Sequence, residues 1–134
     1  MQDHKRLIIG KVGLDGHDRG ALIVAEFLKH SGFEVIYTGL HRTADEIIRI
    51  AIQEDVSIIG ISILSGSHKV LISDVIEKGY EAGIADLVVF AGGIIPIQDY
   101  DELMSIGVAK IFSPAGRLHD ISDWLNEICS NSKS

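Results

Sequence analysis

A ten-residue segment near the N-terminus, "KVGLDGHDRG" at residues 11–20, concentrates side chains that could do chemistry. The neutral imidazole of His17 is a good ligand for a transition metal. Asp15 could accept a hydrogen bond from the other ring nitrogen, and Lys11 could in turn hold the Asp15 carboxylate. Taken alone, such a pair is more often a surface histidine beside an incidental aspartate. The metal-ligand hypothesis therefore needs support from the rest of the chain.

The other histidines do not complete a metal site made of protein ligands. They fall on different predicted elements and lack the closely spaced pair that is typical of zinc sites: His4, His30, His41, His68 and His119. If His17 binds a metal, we expect the metal to bring most of its own ligands, as it does in a haem or a corrin. His41 and His68 stay open as candidates, because both are predicted near the same edge of the fold.

The glycines of this segment do not match the usual nucleotide-binding loops. Gly13, Gly16 and Gly20 are spaced wrongly for G-x-G-x-x-G, and the pattern G-x-x-x-x-G-K-[ST] is absent. Residues 13–20 contain no serine or threonine, which a flavodoxin-type phosphate loop would use. A phospho-receiver needs an aspartate at the end of the third strand, where Ser62 stands. These patterns disfavour an ordinary nucleotide or phosphoryl-transfer site.

Five short apolar runs alternate with five helical patterns, and together they predict the elements that position this segment. The strands are predicted near residues 7–11, 34–37, 57–62, 87–91 and 110–112, without the polar alternation of half-exposed strands. The first and third helices are predicted near residues 18–31 and 67–82. The second is predicted to begin at a capping box formed by Thr43 and Glu46, and the fourth to run from Pro96 to Gly107. The fifth is predicted from an apolar stripe of Ile121, Trp124, Leu125 and Ile128.

This alternation predicts an α/β fold, a flavodoxin-like doubly wound sheet of five parallel strands in the order 2-1-3-4-5. We expect one domain over residues 1–134, with an ordered core at about 6–130 and a polar C-terminal tail. Ligands of such folds bind beyond the carboxyl ends of the strands. The loops there are predicted at residues 13–20, 62–68, 91–96 and 113–118.

Composition restricts the function classes. The net charge of −7, from 12 basic and 19 acidic residues, argues against nucleic-acid binding. The single cysteine, Cys129, cannot form an internal disulfide and is expected to fill the core. No segment is typical of a signal peptide or a membrane span. We therefore expect a cytoplasmic protein.

Three motifs, read together, carry a specific resemblance. Asp15, His17 and Gly20 form D-x-H-x-x-G, Ser62 to Leu64 forms S-x-L, and Gly92-Gly93 forms G-G. Their order and spacing resemble the cobalamin-binding domain of adenosylcobalamin-dependent mutases, from about residue 6 to 130. Flanking segments such as "YTGLHRT" and "AIQEDV" are similar to the acyl-CoA mutase branch, which includes the 2-hydroxyisobutyryl-CoA and methylmalonyl-CoA mutase types.

The resemblance implies that His17 is the lower axial ligand of the cobalt of cobalamin, with Asp15 and Lys11 tuning it through a relay. It also implies that the nucleotide tail of the cofactor lies in a slot between the sheet and a helix. The residues implied to bind the cofactor are Gly16, His17, Asp18, Arg19, Gly20, Val24, Gly60, Ser62, Leu64, Gly92, Gly93, Phe112 and Gly116. After strand 5 the family pattern is roughly G-P-G-T, and Gly116 stands here in place of the threonine.

The function implied is that of an adenosylcobalamin-binding small subunit of an acyl-CoA mutase, an isomerase that performs a radical 1,2-carbon-skeleton rearrangement. The implied partners are a large TIM-barrel subunit that binds the acyl-CoA, in a hetero-oligomer, and a G-protein chaperone. The chain alone is expected to be inactive. A corrinoid carrier or sensor, a methyltransferase cobalamin module, and a flavin- or anion-binding flavodoxin-like module remain alternatives.

Overall fold

A computed structural model describes residues 5–11, 19–38, 43–63, 68–93, 95–113 and 116–131. Strands and helices alternate along the chain: β1 (Arg6–Lys11), α1 (Arg19–His30), β2 (Glu34–Tyr37), α2 (Ala44–Glu54), β3 (Ile58–Ile63), α3 (His68–Glu81), β4 (Val88–Gly93), α4 (Tyr100–Ser105), β5 (Lys110–Phe112) and α5 (Leu118–Asn131). The five strands form one parallel sheet in the order β2-β1-β3-β4-β5, which confirms the predicted fold class.

Helices cover both faces of the sheet, so the strands bury side chains on both sides. Leu7 and Ile9 of β1 pack into a cluster with α1 and α5, whereas Ile8 between them packs into a second cluster with α2, α3 and α4. This alternation follows from the period of two in a strand. Because both faces are covered, the strands are apolar almost throughout, as the sequence indicated.

The start of α2 is fixed by the predicted capping box. The backbone N–H of Glu46 donates to Thr43 Oγ1 at 3.1 Å, and the Thr43 N–H donates to Glu46 Oε1 at 2.9 Å. Both bonds satisfy donors that a helix N-terminus leaves without partners in the helix.

Substitution of Thr43 by alanine is expected to lower the free energy of unfolding by about 1 kcal/mol, because the capping acceptor is lost. Urea denaturation followed by circular dichroism measures this change. Thr43→Ser keeps the hydroxyl and serves as the control, with stability close to that of the unaltered chain. Equal losses in Thr43→Ala and Thr43→Ser would contradict a capping role.

Two predicted boundaries around β4 are wrong. The strand continues through Gly92 and Gly93, which were expected in the following loop, because both pair with β3. Pro96 was expected at the first position of a helix that ends at Gly107. It is instead extended (φ −60°, ψ 138°), and a 3₁₀ turn at Ile97–Asp99 precedes a shorter α4. Gly107 does follow this helix, with φ 119°.

The amino end of the sheet is joined by an ionic cluster around Arg6. Its guanidinium lies 3.1 Å from the carboxylate of Glu34 and 3.1 Å from that of Glu54, and it also donates to the Glu54 carbonyl. The hydrogen bond to Glu54, together with the Glu34 carboxylate, raises the pKa of Arg6 above its ordinary value. One side chain thereby connects β1, β2 and the end of α2.

Among the helices within the described residues, none combines the length and the apolar character needed to cross a membrane.

Candidate functional site

A cavity of about 790 Å³ opens between the sheet and the two helices α1 and α5. It lies on the face of the sheet that carries Leu7, Ile9 and Phe90. Its wall on the sheet side comes from β1, β3, β4 and β5, and the opposite wall comes from Ala21, Ile23 and Val24 of α1 and from α5. The cavity therefore lies within the domain, beside the carboxyl ends of the central strands.

Strand register arranges the sheet wall of the cavity in two rows. Lys11, Ser62, Gly92 and Phe112 pair in sequence across β1, β3, β4 and β5, next to the carboxyl edge. One step deeper, a second row is formed by Ile9, Gly60, Phe90 and Lys110. Paired residues of neighbouring strands face the same side of a sheet. Three residues of the outer row, Ser62, Gly92 and Phe112, and all four residues of the second row line the cavity.

Gly92 leaves open space in the outer row. A Cβ atom added there would meet only the Phe112 carbonyl oxygen, at 3.5 Å, and the Phe112 Cβ, at 4.0 Å, which are ordinary contacts. Neither the packing nor a left-handed backbone requires glycine at this position. The missing side chain therefore keeps room in the cavity, as a flat ligand against the strand would need.

Gly93 is needed for a different reason. Its φ is 114°, a conformation that residues with a side chain rarely adopt. The second glycine therefore turns the chain at the end of β4, directly beside the open space at Gly92.

Gly60 faces another side chain rather than open space. An added Cβ would lie 2.4 Å from Phe90 Cζ, so the Phe90 ring lies directly over this glycine. The Phe90 ring also makes edge contacts with Phe112 and Trp124, at centroid distances of 5.9 and 5.5 Å, and Phe112 lies 5.7 Å from Trp124. These three aromatic rings, the aromatic cluster, form an apolar part of the cavity wall.

Charged residues line the cavity on the side of β5 and α5. Asp120 lies in the first turn of α5, where its carboxylate accepts the Arg117 backbone N–H at 3.2 Å. A negative charge there complements the helix dipole. Asp123 and Glu127 continue this acidic side of α5, and Lys110 faces the cavity from β5. The cavity wall thus combines apolar residues with charges of both signs on the side of β5 and α5.

The structure brings many of the predicted site residues to the wall of one cavity: Val24, Gly60, Ser62, Gly92, Gly93, Phe112 and Gly116. Asp15, Gly16, His17, Asp18, Leu64 and His41 lie outside the described residues. For Lys11, Arg19, Gly20 and His68 only the backbone is described, which places Lys11 at the end of β1 and the other three at the starts of α1 and α3.

Sequence reasoning missed Phe90 and Trp124 as residues of the cavity wall. Phe90 stands two positions before Gly92, so strand alternation alone would have placed it on the same face. Trp124 was predicted only as a member of the apolar stripe of the last helix. It is only half-buried, and it lines the cavity. Its neighbours Ile121 and Leu125 are buried as predicted.

Comparisons of the sequence with known proteins identify one family. The B12 binding domain family matches residues 5–118. The chain is 44% identical to the 2-hydroxyisobutanoyl-CoA mutase small subunit of Aquincola tertiaricarbonis, over 79% of this chain and 78% of that protein. It is 42% identical to methylmalonyl-CoA mutase of Escherichia coli (strain K12), over 92% of this chain but only 17% of that protein.

Solved structures show the same fold at low sequence identity. A cobalamin-binding protein from Desulfitobacterium hafniense DCB-2 has a TM-score of 0.70 at 21% identity, over 79% of this chain and 51% of that one. The Methanosarcina barkeri monomethylamine corrinoid protein has a TM-score of 0.72 at 20% identity, over 88% and 57%. A response regulator from Desulfuromonas acetoxidans has a TM-score of 0.68 at 14% identity, over 93% and 96%. The fold alone therefore does not distinguish cobalamin binding from other functions.

Proposed function

Because the chain belongs to the B12 binding domain family, we propose that it is the adenosylcobalamin-binding small subunit of an acyl-CoA mutase, an isomerase. The match to a separate small subunit over 78% of its length supports this assignment. The single structural observation that carries it is the open space at Gly92 within a 790 Å³ cavity at the carboxyl edge of the sheet. The substrate is an acyl-CoA of the 2-hydroxyisobutyryl or methylmalonyl type.

The described residues fit the nucleotide tail of the cofactor, which ends in a flat aromatic base. Gly92 offers room against the strand, and Phe112 and Val24 offer apolar contacts on either side. Ser62, next to Gly92 in the register, is half-buried and could donate a hydrogen bond from its hydroxyl to a ring nitrogen of the base. Gly93 and Gly116 leave the cavity wall free of side chains where the tail would pass.

In this proposal His17 ligates the cobalt, and Asp15 fixes the tautomer of the imidazole by accepting a hydrogen bond from its other ring nitrogen. Lys11 holds the Asp15 carboxylate from the end of β1. When bound, adenosylcobalamin supplies the radical chemistry of the carbon-skeleton rearrangement. The chain itself binds the cofactor, orients it at the carboxyl edge of the sheet and excludes water from the buried base.

The acyl-CoA site is proposed to lie on a large TIM-barrel subunit. Exposed apolar side chains lie near the beginnings of helices or turns that follow the strands, at the carboxyl edge of the sheet. They are Leu22 and Ile23 of α1, Val70 of α3, and Ile97 in the 3₁₀ turn after β4. Ile97 is 79% exposed and Val70 is 68% exposed. Because exposed apolar surface marks interaction sites, we propose that these four side chains contact the large subunit.

A G-protein chaperone that loads or protects the cofactor and a cytoplasmic location complete the proposal. The location is inferred from the single cysteine of the chain, which excludes internal disulfides. The chain alone is inactive in this proposal, because the acyl-CoA site lies on the large subunit.

Titration of the purified chain with adenosylcobalamin tests the proposal. Trp124 is the only tryptophan of the chain and lines the cavity, so its fluorescence should be quenched saturably. Flavin mononucleotide, as the comparison ligand, should not quench it in the same concentration range. Flavin binding without cobalamin binding would support the flavodoxin-like alternative. If the chain binds cobalamin but shows no isomerase activity when it is mixed with a mutase large subunit, the result would support a corrinoid carrier or methyltransferase module.

Replacement of Ile97 by aspartate is expected to weaken association with the large subunit by at least about tenfold, because a buried apolar contact becomes a buried charge. The dissociation constant can be measured by isothermal titration calorimetry with cobalamin present. Tyr80→Asp is the matched control, since Tyr80 is also exposed but lies near the end of α3, at the opposite edge of the sheet. Equal weakening by both variants would exclude the carboxyl edge as the docking surface.

A further inference from the structure

Phe90 forms the inner wall of the cavity. Phe90 is 4% exposed, and its ring lies over Gly60, where even one additional carbon atom would approach the ring to 2.4 Å. Phe112 and Trp124 contact its ring edge-on, which fixes the ring from the other sides. The ring therefore has a defined position, and Gly60 is the residue that makes this position possible.

We propose that Phe90, seated on Gly60, limits how deeply the lower base of a cobamide enters and thereby selects cobamides by the size of that base. The inference rests on the proposed function. It follows from the two rows of the cavity wall: the outer row is open at Gly92, and the inner row is closed by Phe90. A base that enters beside Gly92 meets the Phe90 ring one row deeper. Gly60 then acts as a positioning residue through Phe90, without touching the base.

Bases of different length give the proposal a measurable consequence. Cobalamin carries dimethylbenzimidazole, naphthimidazolylcobamide carries one more fused ring, and cobinamide carries no base. Overpacking a closed apolar site costs enough to weaken binding by about tenfold or more. We therefore expect the unaltered chain to bind naphthimidazolylcobamide at least about tenfold more weakly than cobalamin.

Variants of Phe90 test whether this residue causes the selection. Phe90→Ala and the milder Phe90→Leu shorten the side chain that closes the inner row. The tenfold preference for cobalamin over naphthimidazolylcobamide should therefore shrink to about twofold or less in at least the alanine variant. Dissociation constants for the three corrinoids are measured by quenching of Trp124 fluorescence, and thermal unfolding verifies that each variant is folded. The affinity for cobinamide should not change, because cobinamide has no base to reach the wall.

Gly60→Ala tests whether Gly60 determines the position of the Phe90 ring. The added methyl group displaces Phe90, so binding of both base-bearing cobamides should weaken relative to cobinamide. Gly10→Ala is the matched control. It adds the same methyl group on the opposite face of the sheet, where the nearest atom is Ile47 Cδ1 at 3.2 Å, and it should leave the ratio unchanged.

The outcomes separate this inference from the proposed function. If the cobamides bind but the preference is absent, or persists in both Phe90 variants, the inference is wrong and the proposed function stands. If neither cobinamide nor cobalamin binds the chain, the proposed function fails, and the inference fails with it. A preference that shrinks in Phe90→Ala with unchanged cobinamide affinity supports both.

Discussion

Replacement of His17 by alanine is expected to lower the isomerase activity of the enzyme reconstituted with its large subunit by more than about 100-fold. The reason is the proposed role of His17 as axial ligand of the cobalt. Loss of a residue that merely orients a metal ligand already costs about 10- to 100-fold, and loss of the ligand itself should exceed that range. Asp15→Asn, which leaves the imidazole in place, is expected within the 10- to 100-fold range.

Electron paramagnetic resonance of the chain with cob(II)alamin examines the ligand directly. With histidine labelled by nitrogen-15, the axial nitrogen splitting should change with the label and disappear in His17→Ala. His30→Gln is the control, because His30 is exposed at the end of α1, where its ring lies within hydrogen-bond distance of the Glu26 carbonyl. If bound cob(II)alamin keeps its own benzimidazole on the cobalt, His17 is not the ligand and a carrier or sensor is favoured.

Replacement of Gly92 by leucine is expected to weaken cobalamin binding by about 10- to 100-fold, because the side chain fills the space proposed for the lower base. The backbone at Gly92 is not left-handed and an added Cβ makes ordinary contacts, so the substitution should leave the fold intact. Fluorescence titration measures the affinity, and denaturation measures the stability. Cobinamide affinity should stay close to that of the unaltered chain.

Two neighbouring variants distinguish a blocked cavity from a damaged fold. Gly92→Ala adds only the carbon atom that the structure accommodates, and it should bind cobalamin more tightly than Gly92→Leu. Gly93→Ala forces a side chain onto a φ of 114° and should cost about 1–3 kcal/mol of stability. Unchanged cobalamin affinity in Gly92→Leu would contradict the placement of the base beside β4.

Some element boundaries depend on residues that are close together in the chain, and these boundaries were predicted from the sequence. The bounds of β2 and β5 agree with the predicted ones, and α2 begins at the predicted capping box, because a cap depends on residues three positions apart. The strand order followed from the alternation of apolar runs and helices and from the handedness of parallel connections.

Tertiary contacts decided what the sequence could not. Gly92 and Gly93 resemble a turn in isolation, but pairing with Ser62 and Ile63 of β3 extends the strand through them. The position of Phe90 over Gly60 required the register of two strands that are distant in sequence. Trp124 fitted an apolar helical stripe, and only the arrangement of α5 against the sheet shows that one edge of it faces a cavity. Residue types suggested the candidate site, whereas its depth depended on packing.

The cavity also has a consequence for the abundance of this protein in the cell. Ile9, Ala21, Phe90 and Ile121 belong both to the buried cluster under α1 and α5 and to the cavity wall, so the proposed ligand would complete part of the core. A ligand that binds only the folded chain adds about 2.7 kcal/mol of stability at a concentration 100 times its Kd. Without it, a larger fraction of chains unfolds and is degraded. The abundance of the subunit would then follow the supply of its cofactor, so that scarcity of the vitamin removes the protein as well as its activity.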